Sequence, residues 1–165
     1  MTDIALVRVD SRLVHGQVTT GYLRTTRADH ILVIDDKVKA DPFLTQINQM
    51  ATTVPCEVMS VDEAVAEWKK DQLANRGILL IIFQYIGPAC RAYTEGFNFP
   101  LLQLGNISGG PGRKNIVGPI TLIEDEAHML NELYKQGMGI EFRANLDNPA
   151  VPWQPTISKA FPSVK

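Results

Sequence analysis

The sequence predicts an α/β fold: a single domain on an open, mostly parallel sheet of about seven strands with helices on both faces. Three observations carry this expectation. Short apolar runs alternate with longer amphipathic segments from end to end. Several of those runs are apolar at successive positions, as strands covered on both faces require. The segments between them open on capping residues and close on glycine. With 165 residues, 45% of them hydrophobic, the chain is long enough to bury one sizeable core.

The elements follow in order. "IALVRV" (4–9) reads as the first strand, and "GQVTTGYLRTTRA" (16–28) as the helix after it. "HILVID" (30–35) is the second strand. Asp35 and Asp36 sit where it ends, and with no third acid at a matching strand end they read as capping and solubilising residues rather than metal ligands. Asp41-Pro42 supplies an N-cap followed by proline at the first helical position. "CEVMS" (56–60) is a third strand. Ser60 with Glu63 makes a capping box opening "VDEAVAEWKK", in which Val61, Ala64, Val65 and Trp68 form one apolar stripe, and Gly77 stops it. "ILLIIF" (78–83) and "LLQLGN" (101–106) are strands, and "ITLI" (120–123) is expected to join them in the main sheet. "EDEAHMLNELYKQG" (124–137) has acids in its first turn, Lys135 in its last and Gly137 as a stop, which suits the helix dipole. "IEFRA" (140–144) is the last strand. The proline-containing tail from about 148 is expected to be irregular and to drape over the domain, with Trp153 and Phe161 as anchors.

Composition removes several classes of function. A formal net charge of −2 gives no clustered basic excess, so no nucleic-acid surface is expected. Cys56 and Cys90 lie far apart and read as buried thiols in a reducing compartment. His30 and His128 lack suitable neighbours, so the three histidines make no metal site. Met1 leads through Thr2 and Asp3 into a strand, and the longest apolar run is far short of the ~20 residues of a membrane helix, so a soluble, cytoplasmic protein is expected. The first strand is not followed by G-x-G-x-x-G. "LGNISGGPGRKN" (104–115) spaces Gly105 and Gly110 like an NTP-binding loop, but Pro111-Gly112 replaces the required Lys and Ser/Thr. A mobile loop is expected there, with Arg113 and Lys114 in a solvated basic turn.

One cluster remains. In "VRVDSRLVHGQV" (7–18), Asp10, Ser11, Arg12 and His15 crowd together where the first strand runs out. Ligands bind at that edge of a parallel sheet. A neutral imidazole nitrogen is a competent nucleophile near pH 7. A phosphoryl group arriving at His15 would meet the backbone N–H groups of the helix opening near Gly16 and Gln17. Arg12 offers a planar fork to its oxygens. Asp10 is placed either to hold the other ring nitrogen and fix the tautomer, or to orient Arg12.

"RVDSRLVHGQV" resembles the active-site segment of IIB components of the mannose/fructose/sorbose class of the bacterial sugar phosphotransferase system, R-[IV]-D-x-R-[LI]-[IV]-H-G-Q-V. Arg8, Asp10, Arg12, His15, Gly16, Gln17 and Val18 match, and the likeness continues in "ILVIDDKVKADPF" (31–43), "LGNI" (104–107) and "GMGIEFR" (137–143). The resemblance implies a protein-phosphohistidine–sugar phosphotransferase. It would take a phosphoryl group from a phosphorylated IIA protein onto His15, in this class on Nδ1. It would then pass the group to sugar entering through the membrane components IIC and IID, at the cytoplasmic side of the permease. Arg12 and Asp10 would assist, with Ser11, Gly16 and Gln17 around the phosphoryl group; no ATP or bound metal is implied. "FQYIGPACRAYTEGFNFP" (83–100) and "SGGPGRKN" depart from the family pattern. The reading from another class is a non-catalytic domain that binds phosphate or a sugar phosphate at the same edge, needing Arg12 but not His15.

Overall fold

The computed structural model describes residues 1–165. β1 (Asp3–Asp10) leads into a helical segment at 16–26, in which a π-helical turn (Val18–Tyr22) continues into α1 (Leu23–Thr26). β2 (His30–Ile34), α2 (Asp36–Ala40), α3 (Pro42–Met50), β3 (Cys56–Met59), α4 (Val61–Lys69), β4 (Ile78–Phe83), α5 (Ile86–Thr94) and β5 (Leu101–Asn106) follow. The rest comprises β6 (Lys114–Val117), β7 (Ile120–Leu122), α6 (Glu124–Lys135), β8 (Gly139–Phe142), β9 (Val151–Pro152) and α7 (Trp153–Ala160).

Seven strands form one sheet in the order β3-β2-β4-β1-β5-β8-β9, parallel except for β9 against β8. The successive apolar residues of the central strands divide between the two faces. Leu32, Ile34, Leu79, Ile81 and Phe83 enter the larger buried cluster, which packs under α4, α5, α6 and α7. Ile31, Val33, Leu80 and Ile82 enter a smaller one with Leu13, Val14, Val18, Tyr22 and Leu23. On β1, Val7 and Val9 belong to the larger cluster, which turns Arg8 and Asp10 toward the other face.

The expected caps are present. Asp41 Oδ1 accepts the backbone N–H of Phe43 at 2.9 Å and of Leu44 at 3.3 Å. Ser60 and Glu63 exchange capping bonds at 3.1 and 2.9 Å. Asp35 caps α2 through Val38 N–H at 2.9 Å, while Asp36 accepts from Val61 N–H at 2.8 Å and pairs with Arg91 at 3.2 Å. Both acids are thus spent on helix starts and an ion pair. α4 contains its whole stripe but stops at Lys69, short of the stop expected at Gly77, because Asp71 takes a left-handed conformation; a 3₁₀ turn (Gln72–Arg76) then runs to Gly77 at φ 103°.

Three expectations are corrected. "ITLI" does not join the main sheet: β7 pairs antiparallel with β6 in a separate hairpin, whose partner strand is disguised in sequence by the glycine-rich run before it. Arg113, expected with Lys114 in a solvated basic turn, is instead tied into the fold. Arg113 is mostly buried, paired with Glu126 at 2.6 Å and bonded to Thr121 Oγ1 at 2.9 Å, and Lys114 reaches Ala160 O and lies over the Phe161 ring. The tail expected to be irregular supplies β9 and α7, because Trp153 and Phe161, read correctly as anchors, bury here and order the chain between them. Trp153 stacks on Phe142 at 5.5 Å between ring centroids, and its indole N–H donates to Asn131 at 3.0 Å. No helix is long and apolar enough to cross a membrane.

Trp153→Ala should destabilise the fold by about 3–5 kcal/mol, the usual range for emptying a large aromatic site. The urea-unfolding midpoint checks this, and a loss below about 1 kcal/mol would show that the tail contributes little.

Candidate active site

β1 ends at Asp10, and the chain is fastened on both sides as it leaves the sheet. Ser11 N–H donates to Asn106 O at 2.8 Å, tying the turn to the end of β5. Val14 N–H donates to Asn48 Oδ1 at 3.3 Å, tying it to α3. Between these ties Leu13 N–H returns to Asp10 O at 3.0 Å and Leu13 adopts φ 57°, a left-handed conformation that costs a non-glycine residue about 1 kcal/mol or more. Its buried side chain, packed with Val14, Val18 and Tyr22, offsets that strain. The turn reverses the chain and delivers Arg12 and His15 back over the strand end.

Asp10 is the hub. It has no exposed surface, yet its carboxylate receives three cations or potential cations. Arg12 donates from its main-chain N–H and Nε to Oδ1, each at 3.0 Å, and from Nη2 to Oδ2 at 2.9 Å. Arg8 donates from Nε and Nη2 to Oδ2 at 3.3 and 3.2 Å. His15 Nε2 lies 3.3 Å from the same oxygen. Burial alone would raise the carboxyl pKa, but the hydrogen bonds from His15 and Arg12 and the charge on Arg8 outweigh it. Asp10 is held well below the usual carboxylate range. An ionised carboxylate only accepts, so the imidazole must place its proton on Nε2. Nδ1 keeps its lone pair free.

Arg12 uses only one edge of its guanidinium on Asp10. Nη1 and the second hydrogen of Nη2 have no protein acceptor, and the side chain is 40% exposed. A bidentate edge is therefore available to an anion. The helical segment starts immediately after His15, with Thr19 N–H bonded to His15 O at 3.0 Å, so the first amides of that segment have no intrahelical partner. Nothing stands within 4 Å of where a Gly16 side chain would project, which leaves this approach open. Gln17 lines a cleft of about 340 Å³ with Arg12, Asn106, Arg143, Asn145 and Asn148. Ser11 is placed differently: its hydroxyl donates to Asn106 O at 2.9 Å and receives Ser108 N–H at 3.1 Å, which makes it a tie between loops.

Of the alternatives for Asp10, the structure shows both contacts at once: the ring nitrogen at 3.3 Å and the Arg12 guanidinium at 2.9 and 3.0 Å. Sequence reasoning assigned no role to Arg8, Gln103, Tyr22 or Gly105. Arg8 is wholly buried, and the Tyr22 ring lies 4.6 Å from its guanidinium carbon. A methyl group on Gly105 would fall 2.0 Å from that carbon. The pairing of β1 with β5 slips by one residue at this point, so that Asp10 opposes Asn106 and Gly105 is the extra residue. The glycine in "LGN" was the available signal. No group of three or more His, Cys, Asp or Glu is arranged to hold a metal ion.

Known proteins agree with this architecture. The family model described as "PTS system sorbose subfamily IIB component" matches residues 4–163. The sorbose-specific EIIB component of Klebsiella pneumoniae is 26% identical over 150 residues, covering 90% of this chain and 91% of that protein. The mannose-specific EIIAB component of Escherichia coli K12 is 25% identical over 160 residues, and the chain spans about half of its length (49%). Among solved structures, the IIBSor domain of the Klebsiella pneumoniae sorbose permease superposes with a TM-score of 0.88 at 25% identity, covering 96% of this chain and 98% of that one. The manxB protein of Thermoanaerobacter tengcongensis gives 0.89 at 29% identity, covering 98% and 99%. A match across nearly the whole chain, on a fold with His15 and its carboxylate partner at the edge of the sheet, places this chain in the sorbose-class family of phosphotransferase-system IIB components.

Proposed function

We propose that this chain is a phosphohistidine phosphotransferase, taking a phosphoryl group from a phosphorylated IIA protein onto His15 Nδ1 and passing it to sugar delivered by the membrane components IIC and IID. The chain acts at the cytoplasmic face of those components. The observation that supports this reading is the placement of His15: Asp10 occupies Nε2 and Nδ1 has no protein partner, while Arg12, held by the same carboxylate, keeps one guanidinium edge unused. The Nδ1 lone pair attacks phosphorus as the bond to the donor histidine breaks. In the second transfer a sugar hydroxyl oxygen attacks phosphorus, and the bond to Nδ1 breaks.

The electrostatics suit such a transfer. The moving group carries spread negative charge, and a protein contributes mainly position and charge stabilisation. Asp10 keeps the imidazole in the reactive tautomer and stabilises positive charge that grows on the ring. Arg12 faces the phosphoryl oxygens with its free edge. The helix start adds about 0.3–1 kcal/mol at an exposed edge. A phosphate-binding domain without chemistry would have use for Arg12 but none for a histidine held in one tautomer.

His15→Ala should fold and accept no label from a phosphorylated IIA partner, whereas His30→Ala and His128→Ala should still be labelled; labelling of the His15 variant overturns the assignment. The labelled wild type should lose its phosphoryl group in mild acid and keep it in alkali, since a phosphorus–nitrogen bond hydrolyses once the ring is protonated. An acid-stable, alkali-labile adduct would move the site to Ser11.

Arg12→Ala should slow transfer by about a hundredfold or more, the usual cost of removing one preorganised donor, with little change in stability. Arg12→Lys should restore part of the rate, because a point charge does not reproduce the fork. Rapid-quench transfer rates within about threefold of wild type for Arg12→Ala would shift the stabilising role to the backbone around Gly16.

A further inference from the structure

We propose that Arg8 is a positioning residue for phosphoryl transfer, setting the tautomer of His15 through Asp10. The proposal rests on His15 being the acceptor. Arg8 has no exposed surface, and its side chain makes five hydrogen bonds. Two go to Asp10 Oδ2. Nη1 donates to Gln103 Oε1 and Arg143 O, each at 2.7 Å, and Nη2 to Ala144 O at 2.7 Å. Every N–H of the guanidinium is used, so it has one orientation and no spare donor for a ligand. Gln103 is fixed in turn, its amide donating to Glu141 at 2.8 Å. These residues are register neighbours, Arg8 opposite Gln103 and Gln103 opposite Glu141, so a polar row crosses β1, β5 and β8 beneath the site.

Structural stability does not account well for this arrangement. A buried ion pair stabilises weakly compared with apolar residues of the same size. Arg12 by itself already balances the charge of Asp10. Arg8 adds something Arg12 does not, since Arg12 is part-exposed and has to serve the incoming anion as well. A wholly buried cation keeps Asp10 ionised and immobile while Arg12 adjusts. Its bonds to Arg143 O and Ala144 O also fasten the segment that faces Arg12 across the cleft. Arg8 touches neither His15 nor the place where phosphorus would sit, so it acts through Asp10.

The test uses the full-length chain with ¹⁵N-labelled histidine. Two-bond ¹⁵N–¹H correlation spectra of His15 read the tautomer without any phosphoryl donor, and rapid-quench labelling from phosphorylated IIA reads the rate. Wild type should show a protonated Nε2 and an unprotonated Nδ1. Arg8→Met should give a mixture of tautomers and a loss of rate on the order of tenfold to a hundredfold, the scale for a misplaced reacting group. Arg8→Lys should recover part of both. On an Asp10→Asn background, Arg8→Met should cost no further rate. Gln103→Met, which removes one acceptor of Arg8 and no charge, should shift tautomer and rate in the same direction by less, and decides the matter should Arg8→Met fail to fold. A wild-type tautomer with a rate within about twofold in Arg8→Met, or in Gln103→Met if only that variant folds, overturns the proposal. So do losses that add in full to that of Asp10→Asn. A wild-type chain that takes no label on His15 overturns the acceptor assignment instead, and the tautomer spectra still report on Arg8.

Discussion

One buried carboxylate organises this molecule. Asp10 sits fully buried at the end of the central strand, and Arg8, Arg12 and His15 converge on its charge. Each of those contacts forces something else. Arg8 needs Gln103 opposite it and a residue without a side chain at 105. Arg12 must fold back over its own strand, which requires the left-handed turn at Leu13. The ring of His15 must approach by Nε2, which leaves Nδ1 without a protein partner. An unpaired charge at this depth would cost several kcal/mol, so at least one of the two arginines has to be in place for the strand end to stay ordered.

The fold was legible where the signals are local. Capping bonds at Asp41, Ser60 and Asp35 span three residues or fewer, and a side chain that satisfies a backbone N–H at a helix start does so much the same way in any context. The strands of the parallel sheet were legible because burial on both faces leaves an unbroken apolar run. The failures needed partners distant in sequence. Nothing in "ITLI" records that it will pair with Lys114–Val117 rather than with β8, and nothing in the prolines of the tail records that Trp153 will find Phe142 and Asn131.

The site divides along the same line. His15, Arg12 and Asp10 lie within six positions, and that crowding marks them as one group, while the phosphoryl chemistry comes with the resemblance of the whole segment. Arg8 is just as close in sequence and matches the family segment, but its neighbours along the chain assign it no role. What makes it a part of the site is Gln103, Arg143 and Ala144, some hundred residues away, together with the absence of a methyl group at Gly105. A buried arginine announces itself only when its acceptors are in place.

The two margins of the sheet bear on how the protein keeps company. β9 contributes only Val151 and Pro152, and proline lacks the N–H that a ladder needs. At the opposite margin β3 is four residues long and follows directly on Pro55. Short, donor-poor borders give an incoming strand little to register against, and that discourages edge-to-edge aggregation. For the transfer proposed above, in which each partner leaves once the phosphoryl group has passed, borders that do not hold an added strand are an advantage.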